Sequence, residues 1–335
     1  MENLKGYRDC TIDNIKGVGI LLVVLGHLSL PEDIRMWIYS FHMPLFTFIS
    51  GVFIKKYSTA NLWSKINRLL VPFFFYSFLS WMGYTLLVYI YHPELLIKQL
   101  WKGVYMLAGS GQNAISLYGN GNITMWFLSF LFVVCCFYWF FDRFKIQVIG
   151  VGCMMSLAYF SAIFHMNLPA NLDTVFLLFP FFYLGTFYKN LHSVWLSVSS
   201  RKYLLILLPF LFICQFYISK KNGHVDTSSN NWGSHICYFY LAALLGVFNI
   251  LLLFAFSRRK VFSFWGKNSI YYLILNIPLI NISNWILNYF NIQKGIESIL
   301  FSFVFVVISV IPLAYIIKNY FPKSIGIKSF FSTCK

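Results

Sequence analysis

Residues 12–30 read Ile12-Asp-Asn-Ile-Lys-Gly-Val-Gly-Ile-Leu-Leu-Val-Val-Leu-Gly-His-Leu-Ser-Leu30. A run of this length suits a helix crossing a bilayer core of roughly 30 Å, yet it holds an aspartate, a lysine and a histidine. Ionisable groups are costly to bury in lipid, so their presence inside a span is a functional hypothesis by default. The segment marks the chain as an all-α, polytopic membrane helix bundle with chemistry inside its first helix.

Apolar runs recur outward from this one. Reading them against charged and Asn/Gly-rich breaks gives ten expected spans, near residues 12–30, 36–54, 69–91, 126–141, 146–164, 172–188, 203–218, 236–256, 269–287 and 297–317. Composition agrees: of 335 residues 59% are hydrophobic and only 11% charged, where a soluble fold carries about 25% charge. Mean hydropathy is +0.69. The first run lacks a basic stretch followed by a small-residue cleavage site, so it is expected to stay as a membrane helix. Residues 1–335 are expected to form one integral-membrane domain, with no internal repeat and no appended soluble domain.

The net charge of +16 does not point to nucleic acid, because Lys and Arg fall in short clusters between apolar runs, the pattern of cytoplasmic loops. With the N-terminus inside, six of the 26 Lys and Arg residues lie in outer loops: Arg35, Lys98, Lys102, Lys220, Lys221 and Lys294. The rest fall inside, among them Lys5, Arg8, Lys189, Arg258, Lys328 and Lys335. The positive-inside rule then puts both termini in the cytoplasm. The seven cysteines include no CxxC pair and mostly sit within apolar runs, so neither disulfides nor a metal site is expected. Two outer segments stand out as acceptor-facing surfaces. One is 92–125, ending in the turn-rich Tyr118-Gly-Asn-Gly-Asn-Ile-Thr, and the other is 219–235, with His224, Asp226 and a Ser/Asn run.

Lys16 and His27 are eleven residues apart, which on an α-helix is about 20° in azimuth and about 16 Å in depth. One face thus carries a cation at the inner surface and an imidazole near the outer one. Asp13, three residues before Lys16, is placed to pair with it. The second span opens Met36-Trp-Ile-Tyr-Ser-Phe-His42-Met-Pro44. A short turn forces it antiparallel to the first, which brings His42 to the depth of His27, and Pro44 frees a backbone carbonyl there. Glu32 and Asp33 in the turn are candidates to orient either imidazole. On the cytoplasmic side Lys65-Ile-Asn-Arg68 reads as a phosphate-binding cation pair, the arginine supplying a planar fork.

These residues resemble the acyltransferase 3 superfamily, and within it the fucose 4-O-acetylase-like membrane O-acetyltransferases. The resembling stretches are Ile12-Asp13, Lys16-Gly17 and Gly26-His27; Tyr39-Ser-Phe-His42-Met-Pro-Leu-Phe and Phe48-Ile-Ser-Gly51; Lys65-x-x-Arg68; Trp126-Phe-Leu128; Phe179-Pro-Phe-Phe-Tyr-Leu-Gly185; and Gly266-Lys-Asn-Ser269-Ile-Tyr271. They follow family order across nearly the whole chain. The resemblance implies a bundle of about ten helices in the cytoplasmic (inner) membrane of a bacterium. It implies transfer of an acyl group, usually acetyl, from cytoplasmic acetyl-CoA to a hydroxyl of a cell-surface polysaccharide or lipid-linked glycan. Acetyl-CoA would be the donor substrate, with no tightly bound cofactor. By the same resemblance Lys16 and His27 occupy the first-helix signature and Lys65 and Arg68 its basic pair; lysine stands at two positions where arginine is frequent. Asn276 stands where many relatives carry histidine, and no role is assigned to it. No serine-hydrolase-like domain with a Gly-Asp-Ser block follows, so transfer is expected within the membrane domain.

The sites expected are therefore His27, His42 and Asp13 for catalysis and Lys16, Lys65 and Arg68 for the donor. His27 is either a general base or a nucleophile that is itself acylated. The competing class is a polysaccharide or small-solute transporter, which inverted repeats or paired broken helices would mark; the sequence shows neither. A glycan polymerase would need a large, basic outer domain. Nothing in the sequence specifies an oligomeric state.

Overall fold

A computed structural model describes residues 10–107, 123–164, 166, 168, 171–188, 201–255, 259–293 and 295–327. Lys5, Arg8, Lys189, Arg258, Lys294, Lys328, Lys335 and the turn at 118–122 lie outside the described residues. The regular elements are helices: α1 Cys10–Gly26, α2 Glu32–Val52, α3 Thr59–Lys65, α4 Val71–Tyr91, α5 Leu96–Leu107, α6 Trp126–Arg143 and α7 Gln147–Ile163. There follow α8 Leu172–Thr186, α9 Arg201–Asn222, α10 Ile236–Ala255, α11 Ser263–Lys267, α12 Ser269–Tyr289 and α13 Ile296–Tyr320. Each of the ten expected stretches coincides with a helix.

Five helices among the described residues are long and apolar enough to cross a membrane: Thr59–Tyr91, which joins α3 and α4, then α6, α10, α12 and α13. The outward faces of α4 and α13 are apolar and exposed, with Phe74, Phe78 and Leu86 on one and Leu300, Val304 and Ile308 on the other. Such faces belong against lipid, where every backbone group must be satisfied inside the helix. The central helices α1 and α2 are interrupted by polar residues, and those are the ones turned inward: Asp13, Asn14, Ser40, His42 and Thr47 are all buried.

Two close crossings hold the centre. Gly17 and Gly266 meet where α1 crosses α11, and a Cβ on Gly266 would run into the Asp13 carbonyl. Gly51 and Gly185 meet where α2 crosses α8, and a Cβ on either would run into the other helix's backbone. In lipid, helix association relies on this kind of close packing, because apolar burial alone gives no preference for a neighbouring helix. The Asn14 amide adds a polar clamp: it donates to Arg259 O at 2.7 Å and accepts from Phe262 N at 3.0 Å, fixing the segment that leads into α11.

Helix α1 contributes to two separate cores. Ile12 and Ile15 pack with Phe41, Phe130 and Phe179, while Ile20, Val23 and Val24 pack with Tyr271, Tyr272 and Val306. The α1 helix also ends earlier than its apolar run, at Gly26. Its last turn tightens, with His27 N donating to Val24 O and Leu28 N to Leu25 O. Pro31 then opens α2, and the residue before a proline is driven out of helical geometry.

Candidate functional site

A cavity of about 1070 Å3 runs along the seam between the two cores. Its walls include Ile20 and Val23 from one core and Met43, Phe127 and Leu131 from the other. At one end stand Lys16, Lys65 and Arg68, joined by Lys55; at the other stand His27, Tyr39 and His42. Eleven residues of helix separate Lys16 from His27 by about 16 Å, so the cavity joins a cation end, called inner after the expected topology, to an imidazole end, called outer.

The inner end is assembled from helix termini. Lys65 closes α3, and Arg68 lies in a five-residue π turn, Ile66–Leu70, a local widening of the helix often found at functional sites. The turn is braced by the segment after α13. Gly326, with φ +68°, lies against the Asn67 carbonyl, and Tyr76 and Ser324 share a 2.8 Å hydrogen bond. Lys16 Nζ stands 4.2 Å from the centroid of the Phe53 ring, an arrangement that attracts the ammonium to the ring face. Lys55 is held by its backbone, whose carbonyl accepts from Trp139 Nε1 at 2.9 Å.

The outer end is ordered differently. His27 Nδ1 lies 2.7 Å from Val23 O, and His42 Nδ1 lies 2.9 Å from Ile38 O. A carbonyl only accepts, so in both rings Nδ1 carries the proton and Nε2 of the neutral imidazole keeps its lone pair. Tyr39 sits between the two, its ring centroid 6.3 Å from that of His27 and 4.9 Å from that of His42. The orienting groups are thus backbone carbonyls and not the acidic turn. Asp33 instead pairs with Lys220 at 2.7 Å on the exposed rim. His42 lies ten residues after Glu32, the first residue of α2, about 15 Å from that end of the helix, so its imidazole sits below the rim.

The loop 223–231 forms the outer wall, with His224, Asp226, Thr227 and Ser228 facing the cavity. It is firmly held. Asp226 Oδ1 accepts from Ser228 N at 3.0 Å and from Ser228 Oγ at 2.6 Å, and its Oδ2 accepts from Ser229 Oγ. Thr174 of α8 donates to Thr227 O at 2.7 Å.

Of the residues singled out in the sequence, Lys16, His27, His42, Lys65 and Arg68 therefore share one cavity. Asp13 does not join them. It is buried at the α1–α11 crossing, because three residues at 100° each leave it about 60° around the helix from Lys16.

Asn276 was given no role from sequence, yet it is fully buried on α12 with its amide nitrogen 3.5 Å from His27 Nδ1. Its Oδ1 has no hydrogen-bond partner among the described residues, and half a turn of the amide offers that oxygen as a second acceptor to the ring N–H that Val23 O already receives. Lys55 and Tyr39 were also missed as site residues. Lys55 looks like an ordinary cytoplasmic flank, and a tyrosine among this many aromatics carries no signal of its own.

The family model described as "Acyltransferase domain", that of the acyltransferase 3 family, matches residues 11–318. No curated protein and no solved structure matches the chain.

Proposed function

Starting from a chain that belongs to the acyltransferase 3 family, and is thus a membrane acyltransferase, we propose that it moves an acyl group, acetyl in the first instance, from cytoplasmic acyl-CoA to a hydroxyl of a cell-surface polysaccharide or lipid-linked glycan. The observation that carries this reading is the single cavity reaching from Lys16, Lys65 and Arg68 to His27 and His42. In the proposed topology about ten helices cross the cytoplasmic membrane of a bacterium with both termini inside, which puts the cations on the side where acyl-CoA is made.

Coenzyme A ends in phosphates and begins in a long, mostly neutral thiol arm. The phosphates suit the four cations of the inner end, with the Arg68 fork best fitted to a phosphate. The arm suits the apolar walls between the ends and would carry the thioester up to His27. There the ring's Nε2 takes the proton of the attacking hydroxyl as the new C–O bond forms and the C–S bond breaks. The same proton then passes to the departing thiolate, so His27 ends the cycle as it began. His42, held by the Ile38 carbonyl, would orient His27 or the acceptor hydroxyl.

The test is mass spectrometry of surface glycan from the host bacterium with the gene deleted and restored. One acyl increment should disappear with the gene and return with it. Identical glycan spectra in the two strains would remove the proposed substrate class.

A further inference from the structure

His27 is shared by two cavities. Besides the large one, a second of about 220 Å3 meets His27, Leu28 and Ser29 and is walled by α12 and α13. Its polar groups are Asn284 and Asn288 on α12 and Ser298 and Ser302 on α13, with no Asp, Glu, Lys or Arg among the described residues of its lining.

These groups are not equally committed. Ser302 accepts a hydrogen bond from Ser283 at 3.0 Å, and Ser298 closes the cap of α13 by accepting from Gly295 N and donating to Gly295 O. Asn284 and Asn288 are exposed and make no side-chain hydrogen bond to any described residue. With Asn276 and Ile280 they form a row on α12 at intervals of four, each step turning about 40° around the helix, so the row winds from the buried Asn276 to the exposed Asn284 and Asn288. The row starts beside His27 and ends one residue before the helix does. The Asn284 and Asn288 amides thus keep donors and acceptors to offer an occupant of the cavity that they line.

We infer that this small cavity binds the acceptor, as a neutral, hydroxyl-bearing ring delivered to His27 from the side opposite the donor. The inference rests on the acyltransfer reading above. Acyl-CoA occupying the large cavity as far as His27 would block that approach for a second substrate. At the outer end of the large cavity, the Asp226 carboxylate is already engaged by Ser228 and Ser229. An amide both donates and accepts, as a hydroxyl does, and the uncharged side chains of α12 and α13 among the described lining residues favour a neutral group over an ion. The volume admits one ring, not a length of glycan chain, so the remainder of the acceptor would lie outside the bundle beyond Asn288.

Asn284→Trp and Asn288→Trp fill the cavity from exposed positions, and Ile282→Trp places the same bulk on an exposed position of α12 outside that lining. Each variant is restored to the deletion strain, and acyl incorporation into surface glycan is read by mass spectrometry. Acetyl-CoA binding is read on the purified proteins by thermal shift. Asn284→Trp and Asn288→Trp should lower incorporation by at least about tenfold, as expected for blocking the cavity and losing a hydrogen bond to its occupant. Acetyl-CoA binding in all three variants, and incorporation with Ile282→Trp, should match the parent. Parental incorporation with both tryptophans in the row overturns the inference, and so does a loss of acetyl-CoA binding that tracks the loss of incorporation. A parent that adds no acyl group overturns the acyltransfer reading itself.

Discussion

At the inner end of the cavity, Lys16, Lys55, Lys65 and Arg68 reach in on long side chains, three of them from turns and helix ends, and Arg68 is exposed. At the outer end, His27 and His42 are short side chains whose rings are tied to the carbonyl four residues before them. Holding a polyanion asks for charge within reach, and a displaced lysine still supplies it. Taking a proton asks for one nitrogen kept within about 0.5 Å of its place. The two ends should therefore respond differently to substitution, abruptly where the imidazoles are and by degrees where the cations are.

The largest effect is expected at the outer end. His27→Ala should lower acyl incorporation by about a hundredfold or more, the usual range for losing a general base, with protein abundance unchanged; retained incorporation would take His27 out of the chemistry. Next comes a substitution meant to strike both ends equally. Gly185→Val pushes a side chain into the α2–α8 crossing, an overpacking that costs roughly 1–3 kcal/mol. Folded protein, measured by size-exclusion yield, should fall, with acetyl-CoA binding and turnover falling in proportion. A selective loss at one end would mean the crossing is not what joins them.

At the inner end, Lys65→Ala with Arg68→Ala should shift the acyl-CoA concentration dependence by roughly tenfold, the worth of a charge-assisted hydrogen bond, with kcat kept. Arg68→Lys should fall between the parent and Arg68→Ala. A kcat loss equal to that of His27→Ala would erase the contrast between the ends. The smallest effect is expected from Asn276→Ala, a few-fold loss of kcat of the size a neutral hydrogen bond gives, with an unchanged KM for acyl-CoA. Asn276→His should recover much of it, and a KM change without a kcat change would assign Asn276 to the donor instead of to positioning His27.

Much of the bundle is legible in the sequence because lipid imposes one simple code, in which an apolar run about twenty residues long must be a helix. Each of the ten apolar runs that this code picks out coincides with a helix among the described residues. The code fails at helix ends and crossings, where packing decides. The end of α1 at Gly26, the π turn around Arg68 and the short helix α11 have no apolar signature. Gly17, Gly51, Gly185 and Gly266 read in the sequence only as parts of resembling blocks, and the structure supplies their physical reason, two crossings that admit no Cβ.

The candidate site divides in the same way. Lys16, His27, His42, Lys65 and Arg68 stand out because charge and imidazole are conspicuous among apolar neighbours. Asn276, Asn284 and Asn288 are quiet residues whose meaning depends on which helix stands beside α1. Asp13, on the other hand, looked as informative as Lys16 and is turned into a helix crossing by a small difference in azimuth.

The most direct test is a cryo-electron microscopy structure of the full-length protein in lipid nanodiscs with acetyl-CoA. The account predicts the phosphates at Lys16, Lys65 and Arg68, the arm between the two cores, and the thioester within hydrogen-bonding reach of His27 Nε2. A nucleotide held elsewhere, or an arm that stops short of His27, would contradict it.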